Sequence, residues 1–579
     1  MNALSQIAPR FPAGNAVVSG QPDLWCTYAA IRSLAWVDQL QSVDRPQICR
    51  YIESRLNRDG GYAWSKGMPS DAWATFYCTE TLNDLGAQER GTQKTESWLD
   101  SLWDGHAYAM CAGQGADVWA THYAVRTLIN VCHGEVKEPA ELLDWLSGLQ
   151  CESGGLSWSP AFARRNKADV RACFYGVMAW KALSQQGAWV PTWDMDRLVQ
   201  WMQAQQLECG GFRFSEAADT PCLWATYRTT ATLAALGTSP LHSARCVAWI
   251  DSLRGPGGGF VRWQGYDCED VWAVFCAVGS LKALGQDVSG LAQGVSQFIQ
   301  RLYVDNGGYT YREKSAAADV LTTAATVLGG TLAPQDRDSA VRWIEGCQLP
   351  NEAGVMYMPG RGAEVRCTAW ALAAGALRDA VQGRQAVLAW LGRIQNPDGG
   401  FGFWEGRGSD MVSTASAVSI MAMLGSNNGV DCAQLEHFIR RCAITQEPPT
   451  YGNFPDGTPT LRSSIQALKC LRYLGHGYGD AMQALLLRHK VKQGGFANIG
   501  NRIPDLLSTY EAMAASSAFD LEVDRAHVLY FLEKVETASG YAWSPMYREG
   551  QDALSTCLGS LLRQWFQGRL DVLPHLYLS

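Results

Sequence analysis

A glycine-centred turn followed by an aromatic residue recurs along the whole chain, and a unit that returns at a fixed period constrains the fold more than any single motif does. It reads DGGYAW (59–64), SGGLSW (153–158), CGGFRF (209–214) and GGGFVRW (257–263). It continues as NGGYTY (306–311), DGGFGFW (398–404), QGGF (493–496) and SGYAW (539–543), with degenerate copies near 104–108, 353–357 and 451–454. A short polar loop separates each turn from a second signal, opening at Asp23, Asp71, Asp117, Asp169, Cys222, Asp270, Asp319, Glu364, Asp410, Thr460, Asp505 and Asp552. The twelve starts are spaced about 48 residues apart, the length of a helical hairpin.

Four residues after its start, a segment carries Thr27, Thr75, Thr121, Thr226, Thr323, Thr368, Thr414, Thr509 or Thr556, and then runs through apolar residues to endings such as LNDLG, LAALG, LKALG and MAMLG. An acidic first residue complements the helix dipole and caps free N–H groups, and a closing glycine suits a left-handed C-cap. Nearly all-round apolarity marks these as buried inner helices. The stretches before the turns, such as LLDWLSGLQ (142–150) and AVLAWLGRIQ (386–395), are apolar on one face and read as outer helices. Alternation of the two predicts an all-α double α/α toroid of about twelve hairpins, with a first barrel at 1–297 and a second at 298–579.

Composition narrows the partners. Of the 579 residues 47% are hydrophobic and 18% charged, enough for a large core, and the net charge of −8 offers no basic surface to a phosphate backbone. Nucleic acid is therefore not an expected partner. The first twenty residues hold no apolar run, so neither a secretory signal nor a membrane span is expected and the chain is placed in the cytoplasm. The 18 cysteines are scattered singly through helical patterns and read as reduced core residues.

A hairpin that ends in Q-x-x-D/E-G-G-F/Y-x-W, best displayed at Gln395-Asn396-Pro397-Asp398-Gly399-Gly400-Phe401-Gly402-Phe403-Trp404, resembles the QW-type repeat. That repeat is shared by class II terpene cyclases, squalene-hopene and oxidosqualene cyclases, and the β subunits of protein prenyltransferases. The resemblance spans essentially the whole chain and implies the toroid. Function must still be argued from a site.

One helix approach departs from the repeat: Asp267-Cys268-Glu269-Asp270 sets three carboxylates within four residues, whereas the equivalent loops read KGMPSD, GQGAD, RNKAD, SAAAD and GRGSD. Crowded carboxylates repel, so some hold a proton more readily than in water. A protonated carboxyl above an apolar cavity is what protonation of an alkene or epoxide requires. In class II cyclases the corresponding pattern is Asp-x-Asp-Asp, its middle acid delivering the proton. The resemblance implies Glu269 as donor and Asp267 and Asp270 as supporting acids, with Glu in the place of Asp. In those enzymes the acid segment opens the carboxyl-terminal ring, while here it opens the sixth of twelve inner helices, which leaves open a division with helices exchanged between barrels.

The two rings also differ in what their inner helices present. Two residues after each start the first ring has Trp25, Trp73, Trp119, Arg171, Trp224 and Trp272, against Leu321, Arg366, Val412, Arg462, Leu507 and Leu554 in the second. Five residues after, the first has Tyr28, Phe76, His122, Phe174, Tyr227 and Phe275, against Ala324, Ala369, Ala415, Ile465, Tyr510 and Cys557. Converging aromatic faces stabilise cations by roughly 0.5–2 kcal/mol per contact without offering a nucleophile. They also form an apolar wall for a polyprenyl chain. The expected substrate-binding set is Trp73, Phe76, Trp119, His122, Phe174, Trp224, Tyr227 and Trp272, with the second ring as support. Arg171 and Arg228, near the aromatic level, are candidates to hold a diphosphate.

No Gly-x-x-x-x-Gly-Lys-Ser loop, Rossmann fingerprint, Asp-Asp-x-x-Asp or Gly-x-Ser-x-Gly stands in the sequence. Proton-led cyclisation of a prenyl diphosphate or linear polyprene is the expected activity. No cofactor is certain, magnesium is expected only for a diphosphate substrate, and peripheral membrane contact is compatible with such a substrate. Two alternatives stay open: a zinc-dependent prenyltransferase, for which Cys268 resembles a ligand but Tyr266 stands where the resemblance asks for Asp, and a non-catalytic toroid that binds lipid or protein.

Overall fold

The computed structural model describes residues 22–578 apart from 65–68, 88–91, 217–220, 263–268, 305–306, 313–318, 331, 350–352, 358–362, 378–380, 406, 447–448 and 500–502. Two compact units divide the chain, Ser19–Ala317 and Ala318–Ser579 with Met1–Val18. In the first, the inner helices are Leu24–Trp36, Ala72–Asp84, Val118–Arg126, Val170–Leu183, Leu223–Ala235 and Val271–Ala283. Each packs on the next and the sixth packs back on the first, closing a ring. In the second unit Val320–Leu328, Val365–Ala373, Met411–Leu424, Leu461–Tyr473, Leu506–Ala518 and Ala553–Phe566 close a ring in the same way. The all-α double toroid expected from the repeat is what forms.

Most of the acidic helix starts act as caps, while Glu364 pairs with Arg366 instead. Asp71, Asp117, Asp410 and Asp505 each accept the N–H of the residue three positions on, at 2.7–2.8 Å, and Cys222 Sγ and Thr460 Oγ1 take the same position where the acid is missing. At the other end Gly86, Gly237, Gly285 and Gly425 have φ of +64°, +75°, +70° and +66°, the left-handed termination their sequence position implied. Outer helices such as Arg45–Glu53 bury one face only, through Ile48, Tyr51 and Ile52.

The glycine turns are tight hairpins rather than plain loops. Most show a single antiparallel bridge, such as Leu56 with Tyr62 or Gln150 with Leu156, and three extend into short strands, including Tyr303–Val304 paired with Gly308–Tyr309. Both glycines of a pair are required. Gly399 has φ +91°, and a Cβ on Gly400 would stand 2.8 Å from the Phe438 ring of the outer helix. The preceding glutamine anchors the turn: Gln395 Nε2 donates to the carbonyls of Gly399 and Asp431, and its Oε1 accepts the Asp431 N–H.

The repeated threonine joins turn to inner helix. Thr75, Thr226, Thr368, Thr414 and Thr509 accept the N–H of the apolar residue that follows the turn's last glycine, at 2.9–3.0 Å. Thr226 and Thr368 return their own hydrogen to the carbonyl of the helix start. The sixth turn serves the first inner helix: Tyr309 N–H donates to Thr27 Oγ1 at 3.0 Å, and Asp23 N–H donates to the Tyr309 carbonyl. The first unit, Ser19–Ala317, thus includes the paired strands Tyr303–Val304 and Gly308–Tyr309 that make this closure.

Replacing Thr414 by valine keeps the shape but strands the buried Phe401 N–H, and should lower stability by about 1–3 kcal/mol. Thr414→Ser should retain most of it, as Ser464 does naturally by accepting the Tyr451 N–H. Denaturant midpoints of the two variants check this, and equal midpoints would refute it.

Candidate functional site

The inner helices of the first ring bring aromatic side chains onto one axis because positions two, five, six and nine of a helix share a face. At the fifth position the rings form a closed girdle. The contacts run Tyr28 to Phe76 at 5.9 Å, Phe76 to His122 at 5.8 Å, His122 to Phe174 at 5.5 Å, Phe174 to Tyr227 at 5.8 Å, Tyr227 to Phe275 at 5.1 Å and Phe275 to Tyr28 at 5.8 Å, centroid to centroid. Nearer the mouth, Trp25, Trp224 and Trp272 stack on one another at 4.5–5.4 Å, and Trp73 packs on Trp119 at 4.6 Å. Phe76, His122, Phe174, Tyr227, Trp224 and Trp272 thus belong to one cluster, to which Tyr28 and Phe275 are equal contributors. The rings rest on each other, so a ligand enters this lumen only by parting them.

His122 is neutral here. Burial pushes its imidazole well below the usual value, and the nearby Arg126 and Arg228 guanidinium groups push the same way. Below the girdle, Arg32 bonds Glu80 and Asp84, and Glu80 also faces Arg126 at 3.6 Å, a charge-balanced floor.

Of the two candidate arginines, Arg171 is committed: it pairs with Asp169 through Nε and Nη2 at 2.9 and 2.7 Å and lies over the Trp158 and Phe214 rings. Arg228 differs. It is 9% exposed, lies over Trp224, Tyr175 and Phe174 at 4.8–5.7 Å, and donates to the Tyr175 hydroxyl, while its Nε has no hydrogen-bond partner. Among the described residues no carboxylate pairs with it. Burying such a charge is costly without an anion, so the cage leaves room in its electrostatics for one.

The acid segment sits differently from its sequence expectation. Asp267, with Cys268, lies outside the described residues. Asp270 caps its helix through the Ala273 N–H and holds Arg262 at 2.5 Å, both partners almost fully buried. Glu269 turns toward the glycine turn and the outer helix Ala292–Arg301: Oε1 accepts the Gly257 N–H and Oε2 the Gly259 N–H, each at 2.7 Å. The reason is a compensation within the repeat. In other turns Asp59 or Asp398 accepts the glycine N–H and a serine hydroxyl, Ser70 or Ser409, closes the loop. Here Gly257 stands where that aspartate would be, and Glu269, at the serine's position, supplies the carboxylate from the far side. Arg262 likewise replaces the aromatic found as Trp158, Phe214 or Phe403.

The second ring holds groups that sequence reasoning passed over. Its inner wall is small at Ala324, Ala369 and Ala415, and the chain after the last helix enters that space, burying Leu573, Leu576, Tyr577 and Leu578. Tyr510 hydroxyl donates to the Pro574 carbonyl at 2.7 Å, Trp370 Nε1 donates to the Tyr577 carbonyl at 3.1 Å, and Lys469 meets His575 Nδ1. Beside them Gln466 Nε2 donates to both oxygens of Glu511. Burial pushes the Glu511 carboxyl up to about 7 and the Lys469 ammonium down to about 7. Gln, Lys and Glu in helices otherwise apolar all round were the available signal. The sequence up to the first inner helix of this ring reads Ala316-Ala317-Ala318-Asp319, with one acid where Asp-x-Asp-Asp would put three.

Among the described residues no three His, Cys, Asp or Glu side chains group as metal ligands, no helix is long and apolar enough to cross a membrane, and every cysteine is free.

Comparison with known proteins places the chain. The prenyltransferase alpha-alpha toroid domain matches residues 10–72, 63–203, 172–319, 316–448 and 461–567. No curated protein matches in sequence. Solved structures that are similar include ent-copalyl diphosphate synthase from Streptomyces platensis, 12% identical over 98% of this chain and 99% of that one, with a TM-score of 0.43. A variant of the type II terpene cyclase MstE from Scytonema, in complex with geranylgeranyl dihydroxybenzoate, is 12% identical over 51% of this chain and 96% of its own, with a TM-score of 0.34. Candida albicans protein geranylgeranyltransferase-I complexed with GGPP is 12% identical over 78% and 84%, with a TM-score of 0.13. The match along nearly the full length shows that this chain belongs to the prenyltransferase alpha-alpha toroid family.

Proposed function

We propose that the chain is an isoprenoid cyclase that begins its reaction by protonating an alkene or epoxide, in the manner of the class II terpene cyclases its repeat resembles. The aromatic girdle of the first ring carries this reading. Once a substrate parts them, six rings at one level of the axis would stabilise a cation on a folded polyprene, and the phenyl and phenol rings among them offer no strong nucleophile to trap it. Burial keeps His122 neutral, so it adds no positive charge to the girdle. The caged Arg228 favours a prenyl diphosphate over a plain polyprene, and magnesium would then arrive with the diphosphate.

In this reading Glu269 delivers the proton and Asp267 and Asp270 support it. Delivery requires the carboxyl to leave the glycine turn, and the Gly257 and Gly259 amides then receive the carboxylate left behind. Glu269→Gln should abolish turnover with helicity intact. It also weakens the turn, so a second variant separates the two roles: Gly257→Asp with Glu269→Ser recreates the Asp398 and Ser409 pair at this position. The double variant should match the parent's unfolding midpoint and remain inactive toward geranylgeranyl diphosphate, farnesyl diphosphate and squalene, with products read by mass spectrometry. Full activity in it would remove Glu269 as the acid, and activity lost on zinc chelation would favour prenyl transfer instead.

Arg228→Gln should raise KM for a diphosphate substrate by at least about tenfold, the loss of one charge-assisted contact. An unchanged KM would remove the diphosphate from the reading.

A further inference from the structure

The second ring solves the problem of its hollow centre in a different way from the first. The first ring fills its axis with its own aromatic side chains. The second has Ala324, Ala369 and Ala415 at the girdle position, and side chains that short cannot meet across a six-helix ring. What fills the space is a piece of irregular chain, residues 573–578, which leaves the last helix and turns back inside.

This segment is held as a ligand would be. It makes no helix or strand with the wall. Its side chains Leu573, Leu576, Tyr577 and Leu578 are at most 8% exposed. Its polar ties come from side chains of several inner helices, Trp370, Lys469 and Tyr510 among them. The Lys469 ammonium also lies 5.1 Å from the centre of the Tyr577 ring.

The wall beside it is unfinished. Gln466 is 1% exposed, gives its amide hydrogens to Glu511, and leaves Oε1 buried with no hydrogen-bond partner. Buried acceptors in native proteins are nearly always paired, and one left open next to displaceable chain points to a donor the plug does not provide. An apolar wall with one open acceptor beside a neutral-capable carboxyl fits a hydroxyl at the end of a hydrocarbon chain.

We infer that the lumen of the second ring is a binding site for a long-chain isoprenoid alcohol, and that residues 573–578 occupy it as a self-ligand that the alcohol displaces. The apolar body of the ligand takes the space of Leu576 and Tyr577, and its hydroxyl donates to Gln466 Oε1. Only the isoprenoid class rests on the cyclase reading; the site itself does not. Because ligand and plug compete, the apparent affinity equals the intrinsic affinity reduced by the fraction of molecules with the plug withdrawn.

The test uses the full chain with geranylgeraniol carrying a photoreactive benzophenone. Leu576→Ala with Tyr577→Ala loosens the plug while leaving the ring's own residues untouched, and should tighten binding at least tenfold over the parent in calorimetry. The cross-links should map to the helices Met411–Leu424 and Leu506–Ala518. Gln466→Leu in the loosened background should reverse most of the gain. Binding no tighter in the loosened chain, or cross-links confined to the first ring, overturns the inference and leaves the cyclase reading standing. Full activity in Glu269 variants with second-ring labelling intact would do the opposite.

Discussion

A hydrogen bond of about 3 Å, repeated from hairpin to hairpin, organises this molecule. A hydroxyl one turn into an inner helix accepts the N–H that follows a glycine turn, and so fixes where the turn lies against the helix start; Val274 in the sixth helix lacks it. The glycine pair then fits flat against an outer-helix aromatic, and the acidic cap, the glutamine anchor and the helix register follow from that placement. Everything that reaches the ring axis does so because each helix is indexed to its turn in the same way. Cys173 Sγ takes the role in the fourth repeat, accepting the Leu156 N–H, and the geometry persists.

Much of this was legible in the sequence because it is periodic. Twelve copies of one signal average out local ambiguity, so the inner helices, their caps and the two rings could be read before any coordinates. The aromatic girdle was legible for the same reason: Tyr28, Phe76, His122, Phe174, Tyr227 and Phe275 occupy one position of the repeat. The closure of the first ring was not, since the turn at 307–309 serves a helix 282 residues away and sequence proximity suggests the next helix instead.

The acid segment shows the limit most clearly. Three carboxylates in four residues look chemical when compared along the chain, and the structure shows that two of them have structural partners. Glu269 supplies the acceptor that an aspartate supplies in other turns, where this turn has Gly257, and Asp270 pairs with the arginine that stands at position 262 where other turns have an aromatic. Each departure from the repeat is one half of a pair whose other half lies ten or so residues away, and only coordinates put the halves together. The plug at 573–578 escaped for a related cause, as it follows the last repeat and no pattern assigns it a place.

Closure of the first ring by Tyr309 and Thr27 also bears on how the chain is made. A bond between residues 282 apart cannot form until all six hairpins have left the ribosome, although each hairpin can gather its own turn, cap and helix pair as it emerges. Until then the aromatic side chains destined for the axis have nothing opposite them. The stretch of synthesis just before Tyr309 appears is therefore when the nascent protein displays its greasiest surface, and when a chaperone has most to cover.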